Sequence, residues 1–127
     1  MSFTVTVPVL IAVALVGILA AEGAEAAGDP AKGKQQFSKC SICHSTEAGD
    51  DKVGPSLAGI VGRKSASDEK FAYSAAMKSF NQTWDEKTLD IYLTNPRQTV
   101  PGTKMVYPGL KNQSDRDDLI AYLATLK

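Results

Sequence analysis

The sequence is poor in the side chains that bind metals and carry redox chemistry: 127 residues hold two cysteines and one histidine. Charge imbalance is also missing, with fourteen acidic against fourteen basic residues, which argues against nucleic acid as the partner. No stretch sustains the two-residue alternation of a half-buried strand, and there are no internal repeats. The expected class is therefore all-α. Finally, no charged side chain occurs between Met1 and Ala21.

That uncharged stretch, "PVLIAVALVGILAA", runs into small residues and reads as a secretory segment with Ala24-Glu25-Ala26 as its cleavage site. It is also long enough to span a bilayer if it is retained. Residues 1–26 are thus expected to be a signal peptide or an uncleaved membrane anchor, with residues 27–127 forming one exported domain. Without Glu22 and Glu25 that domain keeps twelve acids against fourteen bases, a formal +2. At about 100 residues a core is small, and a cross-link or a cofactor helps to stabilise it.

Local signals place three helices. Asp29-Pro30 pairs an N-cap acceptor with a proline suited to the first helical position, and Gly33, Phe37 and Cys40 then share a face. The glycine would let another helix come close. Near the other end, Ser114 and Asp117 resemble a capping box ahead of Leu119, Tyr122, Leu123 and Leu126 at i, i+3, i+4 and i+7. A shorter helix begins near Thr83 to Asp85, turns Leu89, Tyr92 and Leu93 inward, and stops at Asn95-Pro96. Between them lie "VGPSLAGIVGRK" and "PRQTVPGTKMVYPGL", rich in glycine and proline. Loops this long in so small a domain need a surface to pack on.

Both cysteines and the histidine fall within five residues, "CSICH", Cys40 to His44. As a disulfide the pair would close only a tiny loop, which makes a weak staple. C-x-x-C-H is the attachment signature of c-type haem. Two thiols at this spacing can add to the two vinyl groups of one porphyrin, with the adjacent histidine placed to ligate its iron. A zinc site would need further ligands, such as a carboxylate, and a thioredoxin-like pair would need a strand-helix unit beside it. If haem is bound, His44 supplies one axial position and no second histidine exists for the other. Methionine is the natural soft partner. Met77, in "YSAAMKSF", suits gap-filling in a short helical turn, whereas Met105, in "PGTKMVYPG", sits where a loop can hold it rigidly.

At this level of detail the chain resembles the class I cytochromes c, the mitochondrial-type and bacterial c2-like proteins. The resemblance runs through "GDPAKGKQQFSKCSICH", "KVGPSLAGIVGRK", "FAY", the single tryptophan, "YLTNPRQTVPGTKM" and "DRDDLIAYL". It implies a monohaem domain over residues 27–127: a small cytochrome c fold with crossing N- and C-terminal helices, and with short helices and Ω-type loops around one covalent haem c. By the same resemblance Cys40 and Cys43 form thioethers and His44 and Met105 are axial ligands. The Pro55 carbonyl accepts from the His44 ring, Arg63, Tyr73 and Trp84 partner a buried propionate, and Tyr92 packs near the Met ligand. Gly33 and Phe37 match the face on which Leu119 and Tyr122 dock. Met77 departs from the pattern, standing where many relatives carry a polar residue near the haem interior.

The function implied is one-electron transfer between respiratory or photosynthetic complexes or a periplasmic dehydrogenase, by a monomer rather than an enzyme. Lys39, Lys52, Arg97, Lys104 and Lys111 correspond to positions ringing the haem edge, where they would attract an acidic redox partner. Asp50, Asp51, Asp115, Asp117 and Asp118 are expected to confine that positive field to one side. The alternatives are a haem peroxidase or sensor with a labile Met105, and an exported dithiol protein without haem.

Overall fold

The computed structural model describes residues 1–4 and 28–127, so the expected signal segment and its cleavage site lie almost wholly outside the described residues. The first helix, α1 (Pro30–Gln36), starts as its sequence requires: the Asp29 carboxylate accepts the N–H groups of Ala31 and Lys32, and Pro30 opens the first turn. The helix does not run on to Cys40, however. At Phe37–Lys39 the chain tightens into a 3₁₀ turn that Cys40 ends, while Gly33 and Phe37 still share a buried face.

Three short helices occupy the middle of the chain. Ser74 caps α2 (Ala75–Phe80), which ends on Asn81 in the left-handed region. Asp85 caps α3 (Glu86–Thr94), whose buried residues are Leu89, Tyr92 and Leu93, the three its spacing predicts. Asn95 ends α3 and at once caps α4 (Pro96–Thr99) through the Gln98 N–H, so the Asn-Pro pair both stops one helix and starts another.

The last helix, α5 (Gln113–Leu123), corrects the expected capping box. Asn112, extended at ψ 124, accepts the Asp115 N–H at 3.0 Å. Ser114 already lies inside the first turn, where it no longer has the extended backbone that an N-cap side chain needs. The buried side of α5 carries Leu119, Ile120 and Leu123 but also Arg116 and Asp118.

Against α5 packs α1, and the contact is set by Gly33. A Cβ there would run into the Asp118 carbonyl group and come within 2.7 Å of the Tyr122 Cβ. Phe37 meets the Tyr122 ring at a centroid distance of 5.3 Å, and the Asp118 carboxylate accepts the Asp29 N–H at 2.7 Å. Asp118 therefore does not act as a surface acid shaping the field. Its carboxylate is buried and spent on tying α1 to α5.

Among the described residues there is no strand, only one isolated antiparallel bridge between Lys64 and Thr83. No helix among them is long and apolar enough to cross a membrane. The core runs from Phe37 and Leu119 through Leu89 and Leu93 to Trp84 and Val100. Its inward faces line a cavity of about 450 Å³.

Candidate cofactor site

The wall that carries "CSICH" is a tight turn continuing from α1. The Cys43 and His44 N–H groups both donate to the Cys40 carbonyl, at 3.0 and 2.9 Å. This winding turns both half-buried, unbridged cysteines and the imidazole to one side, where all three line the cavity. Burial raises the Cys40 thiol pKa, helped by neighbouring Cys43 and opposed by Lys39.

The imidazole is held from behind. His44 Nδ1 lies 2.7 Å from the Pro55 carbonyl oxygen, which can only accept, so Nδ1 carries the proton and Nε2 keeps its lone pair. Burial lowers the ring's pKa and the bond to Pro55 opposes that shift. Gly54 allows this loop to lie against the ring, since a Cβ there would collide with the imidazole. The Gly54 N–H also donates to the Cys43 carbonyl at 2.8 Å, fastening the loop to the cysteine turn. Sequence reasoning passed over Gly54, although a glycine directly before Pro55 was the available signal.

A second soft side chain lines the same cavity. Met105 is half-buried, and the Tyr92 hydroxyl donates toward its sulfur at 3.8 Å. Tyr92 is carried by α3 and packs at a tilt against Trp84, with ring centroids 4.9 Å apart; its burial raises the phenol pKa. Met77, from α2, also lines the cavity, but among the described residues no hydrogen bond reaches its sulfur. Tyr107, two residues beyond Met105, adds an aromatic wall that sequence reasoning did not single out.

Arg63 supplies the polar corner. Its Nη1 and Nη2 donate to the carbonyls of Ala58 and Ser56, each at 2.9 Å, while Nε is buried without a partner. The Trp84 N–H donates to the Arg63 carbonyl at 2.8 Å, which holds these two cavity residues side by side. Tyr73 lines the same cavity and its hydroxyl accepts the Asp68 N–H at 3.2 Å. All nine residues singled out from the sequence, Cys40, Cys43, His44, Pro55, Arg63, Tyr73, Trp84, Tyr92 and Met105, thus line this one cavity.

The competing chemistries fare worse. No three His, Cys, Asp or Glu side chains gather as a metal cluster among the described residues. Among the described residues no strand accompanies the cysteines, as a thioredoxin-like pair would require.

The family model for cytochrome c matches residues 30–127. The chain belongs to the cytochrome c family. It is similar to a cytochrome c2 of Rhodomicrobium vannielii, 52% identical over 118 residues, covering 91% of this chain and 94% of that protein. A cytochrome c2 of Rhodoblastus acidophilus is 50% identical over 102 residues, 80% of this chain and 95% of that protein. Among solved structures, cytochrome cH from Methylobacterium extorquens superposes with a TM-score of 0.74 at 43% identity, covering 77% of this chain and 99% of that chain. The architecture is accordingly the small all-α cytochrome c fold, and membership in class I cytochromes c brings with it a covalently bound haem c and electron transport.

The cavity fits that group on its own evidence. A largely apolar chamber suits a porphyrin face, two unbridged thiols sit on its wall, and the unpartnered Nε of Arg63 calls for an acidic group inside. Around the opening, Ile42, Val53 and Val106 are strongly exposed yet line the cavity. Lys39 and Lys104 stand with them. Three of the five candidate docking cations are tied to backbone carbonyls: Lys52 to Ser41 at 3.3 Å, Lys104 to Ala72 at 2.8 Å and Lys111 to Thr94 at 2.6 Å. Arg97 is exposed on α4.

Proposed function

We propose that this cytochrome c is a monomeric one-electron carrier of the periplasm, its haem held by thioethers from Cys40 and Cys43 and ligated by His44 and Met105. The observation that carries this reading is the convergence on one cavity of an imidazole with its Nε2 free and a thioether supported by Tyr92. When bound, haem supplies the one-electron iron couple. The protein's own residues set how that couple behaves.

The Pro55 carbonyl orients the His44 ring and increases its basicity, because a hydrogen bond from Nδ1–H to an acceptor pushes electron density toward Nε2. Thioether ligation by Met105 would favour the reduced state of a bound haem relative to ligation by two imidazoles. If His44 and Met105 both serve as ligands, a haem held here would offer small molecules no open site, which separates a carrier from a peroxidase or a sensor. Tyr92 and the loop around Met105 would hold the thioether in place for that role. Arg63, Tyr73 and Trp84 line the part of the wall suited to a propionate, and Arg63 Nε is the donor left for it.

Docking then follows from the mouth of the cavity. Exposed Ile42, Val53 and Val106 offer an apolar patch at which water is readily displaced, and Lys39, Lys52, Arg97, Lys104 and Lys111 steer an acidic redox protein toward it. Pinning three of these ammonium groups to carbonyls lowers the entropy lost when a partner binds. Residues 1–26 would deliver the domain across the membrane as a cleaved leader or remain as a tether.

Absorption spectroscopy of the native protein tests the site. Sharp reduced α and β bands and a weak Met-to-iron band in the oxidised form are expected, with no change on adding carbon monoxide at neutral pH. A high-spin spectrum, or one that carbon monoxide alters, would refute the closed six-coordinate site. Mass spectrometry of the native protein tests the leader: its mass reports whether residues 1–26 are present and whether haem is covalently attached.

A further inference from the structure

The loop that presents Met105 ends on a buried polar cluster lying outside the cavity. Leu110, at the loop's exit, donates its N–H to the Leu93 carbonyl at 2.8 Å. Lys111 Nζ reaches the Thr94 carbonyl at 2.6 Å, and Gly109, at φ +106, lies so close to that carbonyl that a side chain there would collide with it. The exit segment of the loop therefore caps the C-terminal end of α3, taking carbonyls that the helix itself leaves unpaired.

Arg116 binds the other side of this junction. Its Nη1 donates to the carbonyls of both Leu110 and Lys111, at 2.9 and 3.0 Å. Its Nε donates to Asp90 on α3 at 2.8 Å, and Nη2 donates to Gln113. Gln113 in turn donates to the same Asp90 oxygen at 2.9 Å. The guanidinium side chain is 7% exposed and Asp90 33%, so the pair is shielded on the arginine side. Asp90 lies one turn before Leu93 and two residues before Tyr92, whose hydroxyl supports the Met105 sulfur. One helix thus holds the methionine through Tyr92 and holds the end of its loop through Asp90, Leu93 and Thr94.

We infer that Arg116 and Asp90 are positioning residues for Met105: the guanidinium clamps the Leu110–Lys111 backbone to α3 and thereby keeps the thioether in its ligating position. This rests on the reading of Met105 as an axial ligand. A neutral thioether is a weak ligand, so its occupancy depends on how rarely the loop opens. Neutralising Asp90 leaves Arg116 buried without its counter-charge. Replacing Arg116 leaves the Leu110 and Lys111 carbonyls unpaired. Either change favours the released loop.

The test uses the oxidised holoprotein and imidazole as a competing ligand, followed at the Met-to-iron band, with amide exchange at Leu110 as a second readout. Asp90→Asn and Arg116→Lys are expected to raise apparent imidazole affinity about tenfold and to speed Leu110 exchange, while Asp90→Glu stays near native. Should Arg116→Lys fail to fold, Asp90→Asn and Gln113→Ala decide the question. Unchanged imidazole affinity and Leu110 exchange, alongside a loss of denaturant stability, would overturn the clamp and leave Arg116 merely structural. A native protein without the Met-to-iron band overturns Met105 ligation itself, and with it this inference.

Discussion

Gly54→Ala probes the support behind His44. The added Cβ would sit 2.7 Å from Nδ1 and 2.8 Å from Nε2, and closer still to Cε1, whereas ordinary contact begins at 3.4 Å. The ring or its loop must therefore retreat by at least about 0.7 Å. Taken along the hydrogen bond, such a retreat would carry the 2.7 Å pair of Nδ1 and the Pro55 oxygen past the ~3.2 Å limit of a good N–H···O bond. Leaving that buried donor unmade costs roughly 1–3 kcal/mol, partly offset by about 0.4–1 kcal/mol from the stiffer unfolded chain. A net loss near 1–2 kcal/mol in guanidinium denaturation is expected. The imidazole also becomes a poorer donor, so the oxidised form loses more than the reduced form and the potential rises. Since a tenfold shift of a one-electron couple is about 59 mV, a rise of about 20–60 mV is the expected scale. Gly49→Ala is the control. Gly49 has φ +76 and no neighbour within 4 Å, so alanine there is strained by about 1–2 kcal/mol without touching the ring. If spectroelectrochemical titration finds Gly54→Ala unmoved, or moved no more than Gly49→Ala, the role assigned to the Pro55 bond is refuted.

Gly33→Ala should destabilise despite alanine's helix advantage of about 1 kcal/mol, because parting α1 from α5 uncovers Phe37 and Leu119, each worth about 1.5–3 kcal/mol when fully buried. A fall of about 0.5 M in the guanidinium midpoint is expected, and a neutral or stabilised variant would contradict the close approach. Asp90 is pulled in opposite directions, burial raising its pKa and the hydrogen bonds from Arg116 and Gln113 lowering it, with lowering the net result. Its contribution is therefore present above the ordinary carboxylate range and lost as pH falls through the depressed value. The stability gap between native protein and Asp90→Asn should accordingly be full at pH 6 and close in strong acid; a gap independent of pH would exclude the ion pair. Lys39→Gln should slow reduction by an acidic redox protein about twofold at low salt, with the difference vanishing near 0.5 M salt, as stopped-flow would show. An equal effect at both salt concentrations would argue for lost packing instead of steering.

What could be read from the sequence divides by the range of the interaction. Asp29-Pro30, Asp85 and Asn95-Pro96 mark helix ends through contacts within three residues, so each is visible locally. The cap of α5 failed for the same reason: in "NQSD" three neighbouring side chains can all serve, and only the backbone angle of Asn112 decides. The cysteine turn was legible because its chemistry is written in a fixed spacing. Met105 and Met77 both line the cavity, so lining does not separate them; the Tyr92 hydroxyl reaches the sulfur of Met105, which supports the proposal that Met105 is the ligand. Arg116 and Asp118 were illegible as buried residues, because a charge on an apolar face becomes explicable only when its distant partners, Asp90 and the Asp29 N–H, are in place.

The bond from Asp29 N–H to Asp118, with Gly33 beneath the Asp118 backbone, joins points 89 residues apart. Closing so long a loop in a flexible chain costs roughly 4 kcal/mol by length alone, before any of the intervening loops is fixed. That makes the α1–α5 contact the clasp of a closed circuit. Fraying at either end of the domain is then no local event, because releasing α1 also releases the surface on which Phe37, Leu119 and Leu123 converge. Amides in these two helices should exchange only through whole-domain opening, and the segments between them through smaller, independent excursions. A carrier built this way can let its intervening loops breathe while its two terminal helices stay locked together.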